Sequence, residues 1–156
     1  ELGYNYRLSN LLAAIGRAQL IKINKFIEKR RSIFEKYSKE LSNIPGFKFM
    51  KEHKENISNR WLTTLTIDKK KTMVTPRDII NWLKLNNIEA RHVWKPMHLQ
   101  PLFKTAQYVS NNNDNSMSLF NDGICLPSGS DLREKEQERV IELILHLVKK
   151  HQRLNN

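Results

Sequence analysis

From Ser9 to Asn43 the apolar residues Leu12, Ile15, Ile23, Phe26, Ile27, Phe34, Tyr37 and Leu41 recur at helical spacing. That spacing gathers them on one stripe and predicts one long helix, or two nearly continuous ones. Asn43, Pro45 and Gly46 end it, because proline cannot continue the hydrogen-bond ladder and glycine favours the turn.

Phe47 to Met50 reads as a short strand. Trp61 to Ile67 reads as a better one, with Trp61, Thr63, Leu65 and Ile67 alternating onto one face. Between them, residues 51–59 are polar and loop-like. Thr75-Pro76-Arg77-Asp78 is a helix start, with threonine as cap, proline in the first turn and a carboxylate able to reach back; that helix runs to about Asn86. Ile88 to Val93 reads as a strand, and residues 105–118, rich in Asn and Ser, as a mobile polar stretch. Gly123 to Leu126 is a short buried strand stopped by Pro127-Ser128-Gly129. Asp131 and Glu134 open a last helix with Val140, Ile144, Leu147 and Val148 inward and Lys149, Lys150 and Arg153 at its C-terminal end. This order predicts an α+β sandwich: a long N-terminal helix and a small mixed or antiparallel sheet covered by helices.

At 156 residues the chain suits one core, and 39% hydrophobic with 28% charged residues is a globular balance. The expected division is a long-helix region over 1–44 and a small α+β body over 45–156. No run approaches the roughly 18 apolar residues of a membrane span, and the start lacks a signal-peptide layout. A soluble cytoplasmic protein is the expectation. The lone Cys125 permits no internal disulfide, offers no Cys-His zinc spacing, and reads as a small core residue. The formal charge of +11 attracts phosphate-bearing partners or membrane surfaces. Within residues 22–40, seven Lys/Arg against three Glu are spread along the amphipathic helix, which suits a solvated face. Gly3 to Arg7 reads as the middle of something longer, so a fragment is expected.

Phosphate-loop, dinucleotide, zinc-protease and serine-hydrolase signatures are absent. His53, His146 and His151 sit in polar or helix-surface settings. Two segments stand apart. Gly3 to Ser9 places Asn5, Arg7 and two phenols before a long helix; this is an anion site, with the guanidinium fork and helix N-terminus as donors, or an ordinary capped helix entry. Arg91 to His98 packs two cations, two imidazoles and an indole at a strand end. It suits a polar ligand with phosphates and a stackable face, or equally a strand edge with snorkelling cations and one core tryptophan.

Gly3, Asn5, Arg7, then Ala13-Ala14-Ile15-Gly16 and Gln19-Leu20 resemble the segment that follows the catalytic domain in the DegT/StrS family of sugar aminotransferases. The resemblance continues through Asn59-Arg60-Trp61-Leu62, Ile88-Glu89-Ala90-Arg91, Trp94-Lys95-Pro96-Met97-His98 and Gly123 to Gly129. It looks most like the branch that aminates UDP-linked 4-keto-6-deoxy N-acetyl sugars, as in bacillosamine-type pathways. The resemblance implies the C-terminal small domain of a fold-type-I pyridoxal-phosphate (PLP) enzyme, a homodimer with shared active sites, glutamate as amino donor and a UDP-sugar as acceptor. It also implies that the cofactor-bearing lysine lies in a domain this chain lacks, so no residue here is a catalytic lysine and the chain alone is inactive. By the same analogy Asn5 and Arg7 reach the cofactor phosphate across the dimer, while Arg91, Trp94, Lys95 and His98 face the sugar nucleotide. Lys95 does not match the family's lysine motif.

Two rivals remain at this level. A small basic nucleic-acid-binding protein would use the net charge and the aromatic residues, although the cations lie on several elements and no binding module is recognisable. A noncatalytic assembly domain would form a defined oligomer instead. The aminotransferase reading carries no nucleic-acid and no membrane partner.

Overall fold

Ser9 opens a single unbroken helix, α1 (Asn10–Leu41), its hydroxyl accepting the Leu12 amide at 3.3 Å. The computed structural model describes residues 1–110 and 113–154. Only the C-terminal part of α1 is packed: Ile33, Tyr37 and Leu41 are buried, whereas Leu12 and Ile15 remain 57% and 52% exposed. The stripe read from the sequence therefore has two fates, core at one end and solvent-facing at the other.

Four strands follow, β1 (Phe47–Phe49), β2 (Thr63–Ile67), β3 (Arg91–His92) and β4 (Gly123–Leu126). They lie in the order β1-β2-β4-β3 and every pair is antiparallel, with Leu65 opposite Phe49 on one side and Ile124 on the other. The helices between and after them are α2 (Lys69–Thr72), α3 (Pro76–Leu85), α4 (Asn115–Asp122) and α5 (Glu134–Leu154). Phe47, Leu65, Ile67, Ile124 and Leu126 from the sheet meet Ile79 and Leu83 of α3 and Val140, Ile144, Leu147 and Val148 of α5 in one core. Alternation puts Thr63, Leu65 and Ile67 inward while Thr64 and Thr66 are only half-buried.

Polar contacts set the helix packing. Gln137 is buried on α5 and donates to the Ile33 carbonyl of α1 at 2.7 Å, and Lys36 bridges Glu134 and Glu138 at 2.9 and 2.8 Å. Trp82 of α3 donates through Nε1 to the Leu143 carbonyl and stacks on His146. The start of α3 is a full capping box: the Thr75 hydroxyl takes the Asp78 amide at 3.2 Å, and the Asp78 carboxylate takes the Thr75 amide at 2.9 Å. Burial pushes the Asp78 carboxyl up, but the bonds it accepts from the Thr75 hydroxyl at 2.6 Å and from the Thr75 amide outweigh that and hold the group below its ordinary range.

Three expectations need correction, and one element was not foreseen. The strand expected over 88–93 is reduced to Arg91–His92. Its pairs are Arg91 with Cys125 and His92 with Ile124; upstream the Ile88 amide is still tied to the Leu83 carbonyl at the end of α3, and downstream Val93 adds a single bond, its amide to the Gly123 carbonyl at 3.4 Å. Trp61 is not on the inner face of β2. Arg60 adopts φ 49°, Asn59 Oδ1 takes the Trp61 amide, and the indole turns out to 59% exposure. Of the polar stretch, Asn111 and Asn112 lie outside the described residues, but its end is helical: Asp114 caps α4 through the Met117 amide at 2.9 Å. The one-turn helix α2 has no apolar stripe to announce it; Asp68 starts it through the Lys70 amide and Met73 stops it at φ 60°.

Candidate functional site

The loop joining β1 to β2 is held onto α1 by charge. Arg31 makes a two-pronged pair with Glu52 at 2.8 and 3.0 Å and donates to the Ser58 carbonyl at 2.7 Å, while the Ser58 amide bonds back to Glu52. Arg60 lies with its guanidinium 3.7 Å from the Phe34 ring centre and donates to the Met50 carbonyl at 2.9 Å. The bonds from Arg31 and the Ser58 amide hold the Glu52 carboxyl down at about 2. The consequence is positional: the loop delivers Trp61 to the sheet edge, where Arg30 Nη1 fastens its carbonyl at 2.5 Å.

There Trp61 meets Trp94, with ring centres 5.9 Å apart at 34°. The two exposed indoles form one wall of an open cleft of about 730 Å³ that also takes in Arg91, Lys95, Cys125 and the 126–129 turn. The floor is fixed by Ser128, a buried hydroxyl that accepts the Thr63 amide at 3.1 Å and donates to the Leu126 carbonyl at 3.2 Å. Cys125 is 9% exposed and burial pushes its thiol up, which suits the core role read for it. Arg91 pairs with Glu89, Nε and Nη2 both reaching Oε1 at 2.7 and 2.6 Å, on a strand edge where both side chains are largely exposed.

Thus Arg91, Trp94 and Lys95 share one cleft, and His98 does not line it. His98 sits on the 3-10 turn Met97–Leu99, stacked on Tyr108 with centres 3.9 Å apart at 19°. Its Nε2 is 2.9 Å from Asp114 Oδ2, an ion-pair distance at which the hydrogen-bond angle is not met. Asp114 is itself fixed by the Ser116 hydroxyl at 2.7 Å and the Met117 amide. These two bonds chiefly hold its carboxyl down at about 2 against the opposing effect of burial, with Tyr108 and His98 adding to the lowering.

Asn5 and Arg7 lie far along the chain from these groups, in an exposed segment ahead of α1. Asn5 Oδ1 accepts both the Arg7 amide at 3.0 Å and Arg7 Nε at 3.3 Å. Those bonds occupy the Asn5 carbonyl and leave its amide group and the two Arg7 Nη groups, on exposed side chains, as donors, a set whose chemistry fits a phosphate.

Trp61 and Arg30 of the cleft, and Tyr108 and Asp114 around His98, were not foreseen as site residues. Trp61 stood in a quoted run of the resemblance, but its alternation with Thr63 drew it onto the inner face. The other three reach the site through contacts distant in sequence.

The model of the DegT/DnrJ/EryC1/StrS aminotransferase family matches residues 1–145. The chain is 51% identical over 149 residues to EpsN of Bacillus subtilis (strain 168), which is provisionally described as a pyridoxal phosphate-dependent aminotransferase; the match covers 94% of this chain and 38% of EpsN. It is 35% identical over 152 residues to the GDP-perosamine synthase of Vibrio cholerae, covering 92% of this chain and 38% of that one. Among solved structures, Helicobacter pylori PseC, an aminotransferase involved in the biosynthesis of pseudoaminic acid, superposes with a TM-score of 0.82 at 19% identity over 96% of this chain and 40% of PseC. The chain spans less than two-fifths of the length of the curated relatives it matches. A family model covering nearly the whole chain, together with a relative at 51% identity, places this chain in the DegT/DnrJ/EryC1/StrS aminotransferase family.

Proposed function

We propose that this chain is the C-terminal part of a PLP-dependent sugar aminotransferase that moves an amino group from glutamate to a UDP-linked 4-keto-6-deoxy sugar, in a cytoplasmic homodimer with shared active sites. Residues 1–44 form the interdomain helix region and 45–156 the small domain, the cofactor-bearing lysine residing outside the chain. The single observation that carries the reading is the gathering of Arg91, Trp94 and Lys95 in one open cleft, cations beside an exposed indole, within a chain of this family. PLP supplies the electron sink for amino transfer. Asn5 and Arg7 hold its phosphate with these donors, across the subunit boundary. Trp94 offers a face to the nucleotide, Arg91 and Lys95 offer charge to its phosphates, and His98 orients the sugar. Alone, the chain is inactive.

The test is a pair of single-turnover half-reactions in the intact enzyme. Arg91→Ala and Lys95→Ala should each lower kcat/KM for the keto sugar nucleotide by about tenfold or more, the loss expected for a charge-assisted contact, and leave the glutamate half-reaction unchanged. A UDP-linked 4-keto sugar should outperform its GDP-linked counterpart. Preference for the GDP sugar would refute the nucleotide assignment, and equal damage to both half-reactions would refute the substrate-side placement.

A further inference from the structure

His98 is mounted on a short 3-10 turn with no regular ladder to fix its ring, yet the ring is confined on two sides. Tyr108 covers one face at 3.9 Å and nearly parallel, and the Asp114 carboxylate stands 2.9 Å from Nε2. The His98 side chain is 17% exposed and that of Asp114 25%, so solvent screens their attraction less than at an open surface. Asp114 cannot swing away readily, because one of its oxygens already accepts the Ser116 hydroxyl and the Met117 amide at the start of α4. A carboxylate so anchored presents its other oxygen in a fixed place, and the phenol ring limits the imidazole to rotations within its own plane.

We propose that Asp114 and Tyr108 are positioning residues for His98: the carboxylate keeps the proton of the imidazole on Nε2, and the stacked phenol holds the ring so that the Nδ1 edge is the one offered to the sugar nucleotide. This rests on the reading of His98 as a substrate-side residue and adds the groups that orient it. The environment of one ring nitrogen decides what the other can do: an anion 2.9 Å from Nε2 favours the tautomer protonated there and leaves Nδ1 as an acceptor. Among the described residues, Asp114 is the anion at ion-pair distance from His98 and Tyr108 the ring stacked on it.

Asp114→Asn in the intact enzyme separates these ideas, because asparagine also caps a helix and so keeps α4 while the charge is removed. The His98 ring is followed by NMR, and the two half-reactions by single turnover. The ring 15N shifts of the parent should report the tautomer protonated on Nε2, and removing the anion beside Nε2 should move that balance toward Nδ1. The kcat/KM of the sugar half-reaction should fall by about tenfold, with the glutamate half-reaction unchanged. Tyr108→Leu should lower the same sugar kcat/KM. Ser116→Ala removes a bond to Asp114 but not its charge, and the His98 ring shifts should stay those of the parent. Unchanged His98 ring shifts in Asp114→Asn overturn the pairing. Changed shifts with an undisturbed sugar half-reaction overturn the positioning role, provided His98→Ala itself impairs that reaction. If His98→Ala has no effect on the sugar half-reaction, the substrate reading of His98 falls first and the proposal falls with it.

Discussion

Gly123 is where α4 hands over to β4, and a methyl group there has no room. An added Cβ would sit 2.3 Å from the Leu119 carbonyl oxygen and 2.0 Å from Val93 Cγ2, against about 3.4 Å for ordinary contact. Val93 could turn at some cost, although β-branched side chains are stiff at χ1. Leu119 O is backbone, and clearing it requires the last turn of α4 to move by about 1 Å relative to the sheet. The φ of Gly123 is −97°, which any residue adopts, so the penalty is spatial and not conformational. Overpacking costs about 1–3 kcal/mol, and a backbone obstacle belongs at the upper end. The lower chain entropy of alanine in the unfolded state offsets about 0.4–1 kcal/mol. Gly123→Ala should therefore destabilise the chain by about 2 kcal/mol, a fall in Tm of about 4–8 °C at this length. Thermal and urea unfolding followed by circular dichroism measure it. Gly129→Ala is the control: its Cβ meets only the tip of Asp131, at 2.5 Å, a flexible side chain that can move aside. A Gly123→Ala chain within about 0.5 kcal/mol of the parent, or no more affected than Gly129→Ala, would refute the packing argument.

Three other outcomes follow from the same contacts. Glu52 has its folded pKa held down at about 2 from an ordinary 4.5, so its stabilising contribution is complete above about pH 4.5 and is lost as pH falls toward 2; the urea midpoints of the parent and Glu52→Gln should differ at pH 7 and converge by pH 2. A gap that persists at pH 2 would rule out the ion pair as its source. Tyr37 is wholly buried with no partner for its hydroxyl among the described residues, and burial pushes its pKa up, so Tyr37→Phe should hold stability level or raise it by about 1 kcal/mol, with a clear loss in the urea midpoint counting against the packing described. In the intact enzyme, Arg7→Ala should weaken PLP retention by about one to two decades, the value of a lost charge-assisted hydrogen bond, as read by cofactor titration; unchanged retention would remove Arg7 from the phosphate site.

What could be read from the sequence was whatever is decided locally. The α3 capping box needs only Thr75 and Asp78 three residues apart, and its bonds form as that spacing predicts. The inward face of α5 follows from its period, and Val140, Ile144, Leu147 and Val148 are all buried. The extent of β3 is another matter, since its start is cut back by the Ile88 amide returning to Leu83 at the end of α3, and its pairing waits on β4, which follows only after α4. Period alone likewise showed a stripe on α1 but could not say how far along it the core reaches, because that is fixed by the position of α5, where Gln137 meets Ile33.

The candidate site divides in the same way. Arg91, Trp94 and Lys95 are neighbours in sequence and stay together in the cleft, so their grouping in space follows from a short run of the chain. Trp61 was misplaced because alternation is evaluated without knowing where a strand starts. Its departure from the inner face depends on Arg60 reaching a left-handed φ of 49°, a conformation costing on the order of 1–3 kcal/mol for a residue with a side chain. That cost is offset by contacts the sequence does not order: Arg60 over Phe34 and onto the Met50 carbonyl, Arg31 on Glu52 and Ser58, and Arg30 on the Trp61 carbonyl itself. All but the Arg60–Met50 bond join α1 to the loop that follows β1, so none of those is visible in a window of neighbouring residues. A tryptophan held out to solvent by two arginines of α1 together with Arg60 beside it is a consequence of tertiary structure, and the polar loop that looked like a mere connection is what positions it.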